Sequence, residues 1–167
     1  DVYKRQPNVA QTPRPAPGGA QDILYGSCFW ELDRDEALIL ECEKPSADYW
    51  GFSIHTLGWL ESGDFADRQT SLNDHQTHVD ADGRVRIVLA HRDPGVPNWI
   101  DTEGRPRGLL VYRWVWANAN ANATPEATRV PLSRVRSRLP PDHPRVDEAM
   151  RRTALARRRE AAWNRFL

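Results

Sequence analysis

Two runs of alternating apolar and polar residues open the patterned part of the chain. Cys28, Trp30 and Leu32 alternate with Phe29 and Glu31, and Leu38, Leu40 and Cys42 alternate with Ile39, Glu41 and Glu43. A period of two puts every second side chain on one face, as a half-buried strand requires. Folding the runs about Arg34-Asp35-Glu36 sets Leu32 opposite Leu38, Trp30 opposite Leu40 and Cys28 opposite Cys42. This predicts a hairpin with all six on one face and the cysteines as core thiols rather than a disulfide.

The β pattern continues. Tyr49–Leu57 places Trp50, Phe52, Ile54 and Thr56 on one face, and residues 68–72 and 76–79 are shorter candidates. Asp82-Gly83 is a hairpin signal before residues 84–91, whose Val85, Ile87 and Leu89 point inward. Residues 108–116 (GLLVYRWVW) form the longest β run, read as a central strand covered on both faces, and Thr128–Leu132 reads as an edge strand. Short strands at close spacing predict a mainly β protein, an antiparallel β-sandwich of jelly-roll-like type.

The period then changes. Asp142 and Pro144 suit the first turn of a C-terminal amphipathic helix running to about Phe166, with Val146, Ala149, Met150, Ala154, Ala161 and Phe166 as its apolar stripe. Three regions result: a disordered or loosely attached leader at 1–20, rich in proline and glycine, a sandwich body at 21–132, and a basic linker with the helix at 133–167. NANANAT at 118–124 reads as a polar loop, and its Asn122-Ala123-Thr124 acceptor pattern carries no weight without a sign of secretion.

Charge sharpens this division. Acids and bases balance at 23 each over 167 residues, but residues 21–130 hold eighteen acids and ten bases, and residues 131–167 hold four acids and ten arginines. An acidic body with a basic tail predicts docking of the tail on its own body or on a partner. An acidic body repels phosphate backbones, and Arg134-Val135-Arg136-Ser137-Arg138 lacks interleaved aromatics, so nucleic acid is not an expected partner. No apolar run reaches the length of a membrane span, so no membrane is expected either. The sequence holds no G-x-G-x-x-G, G-x-x-x-x-G-K or G-x-S-x-G pattern and no metal-type cysteine spacing. No cofactor or metal is expected: His75 and His78 would face opposite ways on a strand, and His55, His78, His91 and Asp93 would need the fold to gather them.

Several segments resemble the bacterial proteins grouped as domain of unknown function 1214. The residues carrying the likeness are Asp35-Glu36-Ala37-Leu38, Tyr49-Trp50-Gly51-Phe52, Trp59-Leu60-Glu61-Ser62, Arg68-Gln69, Ser71-Leu72-Asn73, Arg113-Trp114 and, most specifically, Ala90 through Thr102 (AHRDPGVPNWIDT) with Gly104. The resemblance covers roughly residues 22–165. It implies a jelly-roll-like sandwich at the C-terminal end of longer proteins, preceded by an N-terminal region and without a settled biochemical function. On this reading the chain is a fragment or processed product, whose expected partner is that N-terminal domain or another protein. A cytoplasmic location is slightly favoured.

The segment His91–Asp101 holds more chemistry than a turn needs: two prolines, a glycine, two carboxylates, a histidine, an asparagine and a tryptophan. It is expected either to brace its own shape or to bind a small polar ligand, with Trp99 as an apolar platform, Asp93, Asn98 and Asp101 as hydrogen-bonding groups and His91 beside them. A second cluster, Trp59, Glu61, Asp64, Arg68 and Asn73, forms the other half of that expected rim, either as a charge-braced corner with Arg68 paired to Glu61 and Asp64 or as part of a site. The leading reading is a non-catalytic ligand-binding or interaction module of a larger bacterial protein. One alternative is a hydrolase or lyase half-site acting on a carbohydrate-like or small polar substrate, with Glu61, Asp93 and Asp101 as candidate acid–base residues. Another is a purely structural accessory domain.

Overall fold

The computed structural model describes residues 6–118 and 124–165. Ten strands run in chain order as β1 (Val9–Ala10), β2 (Arg14–Pro15), β3 (Ile23–Glu31), β4 (Glu36–Glu43), β5 (Ala47–His55), β6 (Ser71–Asn73), β7 (Arg84–Ala90), β8 (Trp99–Asp101), β9 (Arg107–Ala117) and β10 (Glu126–Pro131). A 3₁₀ turn (Leu132–Arg134) and the short helix α1 (Val135–Arg138) lead to the long helix α2 (Glu148–Trp163). One sheet has the order β1-β3-β9-β5-β6, with β2 also on β3, and the other has the order β10-β4-β7-β8. The protein is a β-sandwich with a C-terminal helix.

The alternating residues fill the space between the sheets. Cys28, Trp30, Trp50, Phe52, Ile54, Leu110, Tyr112 and Trp114 from the first sheet meet Leu38, Leu40, Cys42, Val85, Ile87 and Leu89 from the second. Phe52 packs edge-on to Trp114 (5.5 Å between ring centroids) and tilted to Tyr112 (5.7 Å), and Tyr112 stacks on Trp114 (5.4 Å). Both cysteines are buried free thiols. The expected β3–β4 hairpin is wrong in its pairing. β3 pairs with β9 and β4 with β7, so residues 32–35 carry the chain across the sandwich, and the six alternating residues face each other through the core.

A smaller apolar cluster lies on the other face of the second sheet. Ala37, Ile39, Val88 and Ala90 turn outward beneath Val96, Trp99, Val130, Val135 and Leu139. The linker after β10 therefore covers this sheet, and β4 and β7 are buried on both faces. β9 is central as expected, but its outer face is open: Arg113 is exposed, and Val111 and Val115 are only half-buried. The 76–79 strand is also absent, because residues 74–76 form a turn and Val79 makes only an isolated bridge to Val85.

Residues 6–20 are not a loose leader. β1 and β2 pair along β3, and the Asn8 side chain bonds both backbone groups of Glu31, accepting from its N–H and donating to its carbonyl. The reason is general: the edge of β3 presents unpaired backbone groups, and a short extended segment satisfies them. The central part of the 118–124 loop lies outside the described residues.

α2 begins later than the proline suggested. Asp147 caps it by accepting from the Met150 N–H at 2.8 Å. Its body-facing stripe is Arg151, Leu155, Arg158 and Ala162, while Ala149, Met150, Ala154 and Ala161 are exposed. The described part of the expected apolar stripe is thus the wrong face, and Phe166 lies outside the described residues. The body surface under the helix offers carbonyls and a carboxylate, which reward guanidinium groups more than small apolar side chains.

Candidate functional site

The loop between β7 and β8 performs an unusual connection. β8 lies parallel to β7, with Val88 paired to Trp99 and Ala90 to Asp101. Residues 91–98 must therefore carry the chain back along the strand in a crossover far shorter than the dozen or more residues parallel pairs normally need. Pro94 and Pro97 limit the backbone, and Gly95 takes φ +73°, where other residues are strained. This accounts for the composition of the segment.

Its polar groups are consumed within the fold. Asn98 is fully buried: its Oδ1 accepts from the His78 N–H (2.7 Å), and its Nδ2 donates to the carbonyls of His78 (2.8 Å) and Arg86 (3.0 Å). The Trp99 indole N–H donates to the Ala90 carbonyl at 3.0 Å. His91 bridges the Thr102 hydroxyl (2.6 Å) and the Leu32 carbonyl (3.2 Å) through its two ring nitrogens. Asp101 accepts from Arg68 Nε at 2.9 Å and from the Glu103 N–H at 2.8 Å. Arg68 therefore pairs with Asp101 rather than with Glu61 or Asp64, and Asp64 instead caps the turn at Ala66 and Asp67. Asp93 accepts from the Gly95 N–H and from Arg151.

That last contact fastens the helix. Arg151 is buried and donates from Nε to Asp93 Oδ2 (2.8 Å), from one terminal nitrogen to Gln69 Oε1 (2.9 Å), and from the other to the Val96 carbonyl (2.6 Å) and Asp93 Oδ1 (3.2 Å). Gln69 in turn donates to the carbonyls of Pro97 and Trp99. Further along, Arg158 donates to the Ser71 carbonyl (2.6 Å) and hydroxyl (3.2 Å), and Arg159 pairs with Asp67.

Between α2 and the outer face of β5, β6 and β9 lies a groove of about 300 Å³. Tyr49, Phe65, Asn73 and Gln76 line it, together with Arg113, Arg158 and Arg165. Gly51 lies opposite Arg113 in the sheet, and a Cβ there would meet the Leu72 carbonyl at 3.2 Å, so the missing side chain keeps the groove open. Among the described residues, none of the three arginines is ion-paired with a carboxylate. Arg158 bonds only neutral oxygens, and burial, then the charge of Arg151, pushes its pKa down.

Of the residues expected at a site, Asn73 alone lines this groove. Trp59 is 88% exposed, and Glu61 closes its own loop through the Thr56 hydroxyl at 3.0 Å. The carboxylates proposed for acid–base chemistry are tied to separate partners: Asp93 to Arg151, Asp101 to Arg68 and Glu61 to Thr56. The arginines were missed, although Arg151, Arg158 and Arg165 recur every seven residues, a spacing that keeps them near one helix face.

A second cluster escaped the sequence. His78, Asp80 and His143 bring three ligand-type atoms within 4.8 Å of one another. Asp80 Oδ1 lies 2.7 Å from His143 Nδ1 and 3.3 Å from His78 Nε2, and Asp80 Oδ2 accepts from Arg86 at 2.6 Å.

No family model matches the chain, and no curated protein matches it. Among solved structures, it is similar to an uncharacterised protein from Burkholderia cenocepacia, with 33% identity and a TM-score of 0.66 over 71% of this chain and 32% of the other. It is also similar in fold to the VPA0106 protein from Vibrio parahaemolyticus, with 17% identity and a TM-score of 0.54 over 65% of this chain and 31% of the other. The chain spans about a third of the length of each. The chain is a β-sandwich domain, and among its described residues no helix is long and apolar enough to cross a membrane.

Proposed function

We propose that the chain is a ligand-binding module of a larger protein, of the kind its sequence resembles in the domain of unknown function 1214 group. Its site is the groove beneath α2, and its ligand is a small anion carrying a carboxylate or phosphate. The observation that carries this reading is the convergence of Arg113, Arg158 and Arg165 on one groove with no described carboxylate to offset them. Concentrated positive charge beside low-dielectric walls attracts an anion, and guanidinium groups match the planar oxygens of carboxylates and phosphates. Tyr49 and Phe65 add apolar contact for the remainder of the ligand.

The expected binding rim is thus divided. Phe65, Thr70, Ser71 and Asn73 line the groove, while Asp93 and Val96 hold the helix that roofs it. A hydrolase or lyase half-site on Glu61, Asp93 and Asp101 has less support, because each carboxylate is engaged by a different partner. An interaction role draws on a separate feature: the Trp59-Leu60 tip is exposed, and Leu60 sits at φ +56°.

The test is a titration of the isotopically labelled chain with acetate, succinate and inorganic phosphate, followed by amide shifts. Saturable shifts at Gly51, Ser71 and Asn73 are expected, and Arg113→Gln with Arg165→Gln should weaken binding by at least about tenfold, or ~1.4 kcal/mol. Absence of saturable shifts at the groove, or equal affinity in the double variant, overturns the reading.

A further inference from the structure

We propose that His78, Asp80 and His143 form a binding site for a divalent transition-metal ion of the zinc class. The ligand atoms are His78 Nε2, Asp80 Oδ1 and His143 Nδ1. They come from three segments: the stretch before β7, the turn that opens it and the linker between α1 and α2. Adjacent ligands about 2.0–2.2 Å from a shared tetrahedral ion lie roughly 3.3–3.6 Å apart, so the 3.3 Å separation about Asp80 Oδ1 already suits one and the 2.7 Å separation must open. An ion would enter by replacing the His143–Asp80 hydrogen bond, with a shift of roughly 0.6–0.9 Å between those two side chains.

The three positions are held before any ion arrives. Asn98 clamps both backbone groups of His78. Asp80 is fixed by backbone bonds to Arg84 and Gly83, each 2.9 Å, and by Arg86 on its second oxygen. His143 donates its N–H to the Pro140 carbonyl at 3.0 Å, and its own carbonyl accepts from Arg136 at 2.6 Å. Supports of this kind around a ligand set fix its orientation.

Asp80 belongs to a network in which Glu41, Asp80 and Asp82 face Arg84 and Arg86, and Arg136 stands beside the His143 carbonyl. Two imidazoles and one carboxylate select zinc, cobalt or nickel over magnesium or calcium, which prefer oxygen. His78 is the partly exposed member, so the ion's remaining position opens on that side.

Titration of the metal-stripped chain with Co²⁺ and Zn²⁺ tests the site. One equivalent should bind, Co²⁺ should give visible absorption bands, and Zn²⁺ should move the ring-nitrogen resonances of His78 and His143. His78→Ala should weaken binding by at least about tenfold, a loss typical of disturbed metal sites. His143 is buried and its replacement risks unfolding, so the wild-type ring resonances decide independently of any variant. No saturable binding below millimolar metal, shifts confined to other histidines, or unchanged affinity in His78→Ala overturns the proposal.

Discussion

Arg151 lays its guanidinium over the indole of Trp99, 5.1 Å from the ring centroid, and so joins α2 to the crossover loop through a cation–π contact. The same guanidinium holds Asp93, Gln69 and the Val96 carbonyl. Removing it leaves Asp93, a carbonyl and an amide without their partner. Arg151→Met should therefore lower stability by about 2 kcal/mol, less than for a fully buried pair because Asp93 reaches solvent. Urea unfolding measures the loss, and faster amide exchange across α2 should accompany it.

Asn98→Ala should be comparably damaging, by about 2–4 kcal/mol, because it orphans the backbone N–H and C=O of His78 and the carbonyl of Arg86 in a dry setting. Asn98→Asp should not rescue it, since a carboxylate oxygen would then face two carbonyls. A melting temperature for either variant within a degree of wild type would contradict this account.

Two glycines are fixed by close approach. A Cβ at Gly26 would fall 1.9 Å from the Tyr112 ring, and one at Gly108 would fall 2.1 Å from the Trp30 ring. Gly26→Ala and Gly108→Ala should each cost at least about 2 kcal/mol through overpacking. Gly83→Ala meets no atom within 4 Å, and its cost should come only from its φ of +78°. Parallel thermal melts compare the two mechanisms.

The core thiols should be chemically silent. Burial pushes both Cys28 and Cys42 up to about 12, so almost no thiolate exists at neutral pH. A thiol-specific disulfide reagent should label neither in the native protein and both in urea. Rapid native labelling would place at least one of them outside the core.

Asp82 gives a pH-dependent prediction. Its hydrogen bond to Arg86 lowers its pKa to about 2, below the 3.8 of a free carboxylate. A depressed folded-state pKa stabilises above the free value, and that contribution disappears as pH falls through about 2. The stability difference between wild type and Asp82→Asn should therefore be constant above about pH 5 and shrink below it. It should also be small and salt-sensitive, since the carboxylate is solvent-exposed. Urea midpoints from about pH 6 to about pH 2.5 follow it.

The inward faces of the core strands were legible because burial follows the two-residue period directly, as at Cys28, Trp30, Leu110 and Trp114. Pairing was not legible. A four-residue connection after β3 suits a hairpin and a crossing between sheets equally, and only the long-range partnership with β9 decides between them. The crossover loop was legible as a stiff, chemically rich segment, and whether its groups braced or bound depended on partners far away, Gln69 and Arg151. The face of α2 misled because hydrophobic scoring counts arginine as solvent-seeking, whereas Arg151 and Arg158 extend aliphatic stems and terminal donors into a surface of carbonyls. The groove and the His78–Asp80–His143 cluster were illegible for a simpler reason: each joins residues more than sixty positions apart.

Synthesis proceeds from the amino terminus, so every strand of the sandwich leaves the ribosome before α2 exists. Until Arg151 emerges, Asp93, Gln69 and the Val96 carbonyl lack that partner. The groove has a floor and no roof during that interval. Docking of α2 is thus a late step in maturation, and the groove is complete only in chains translated past Arg165.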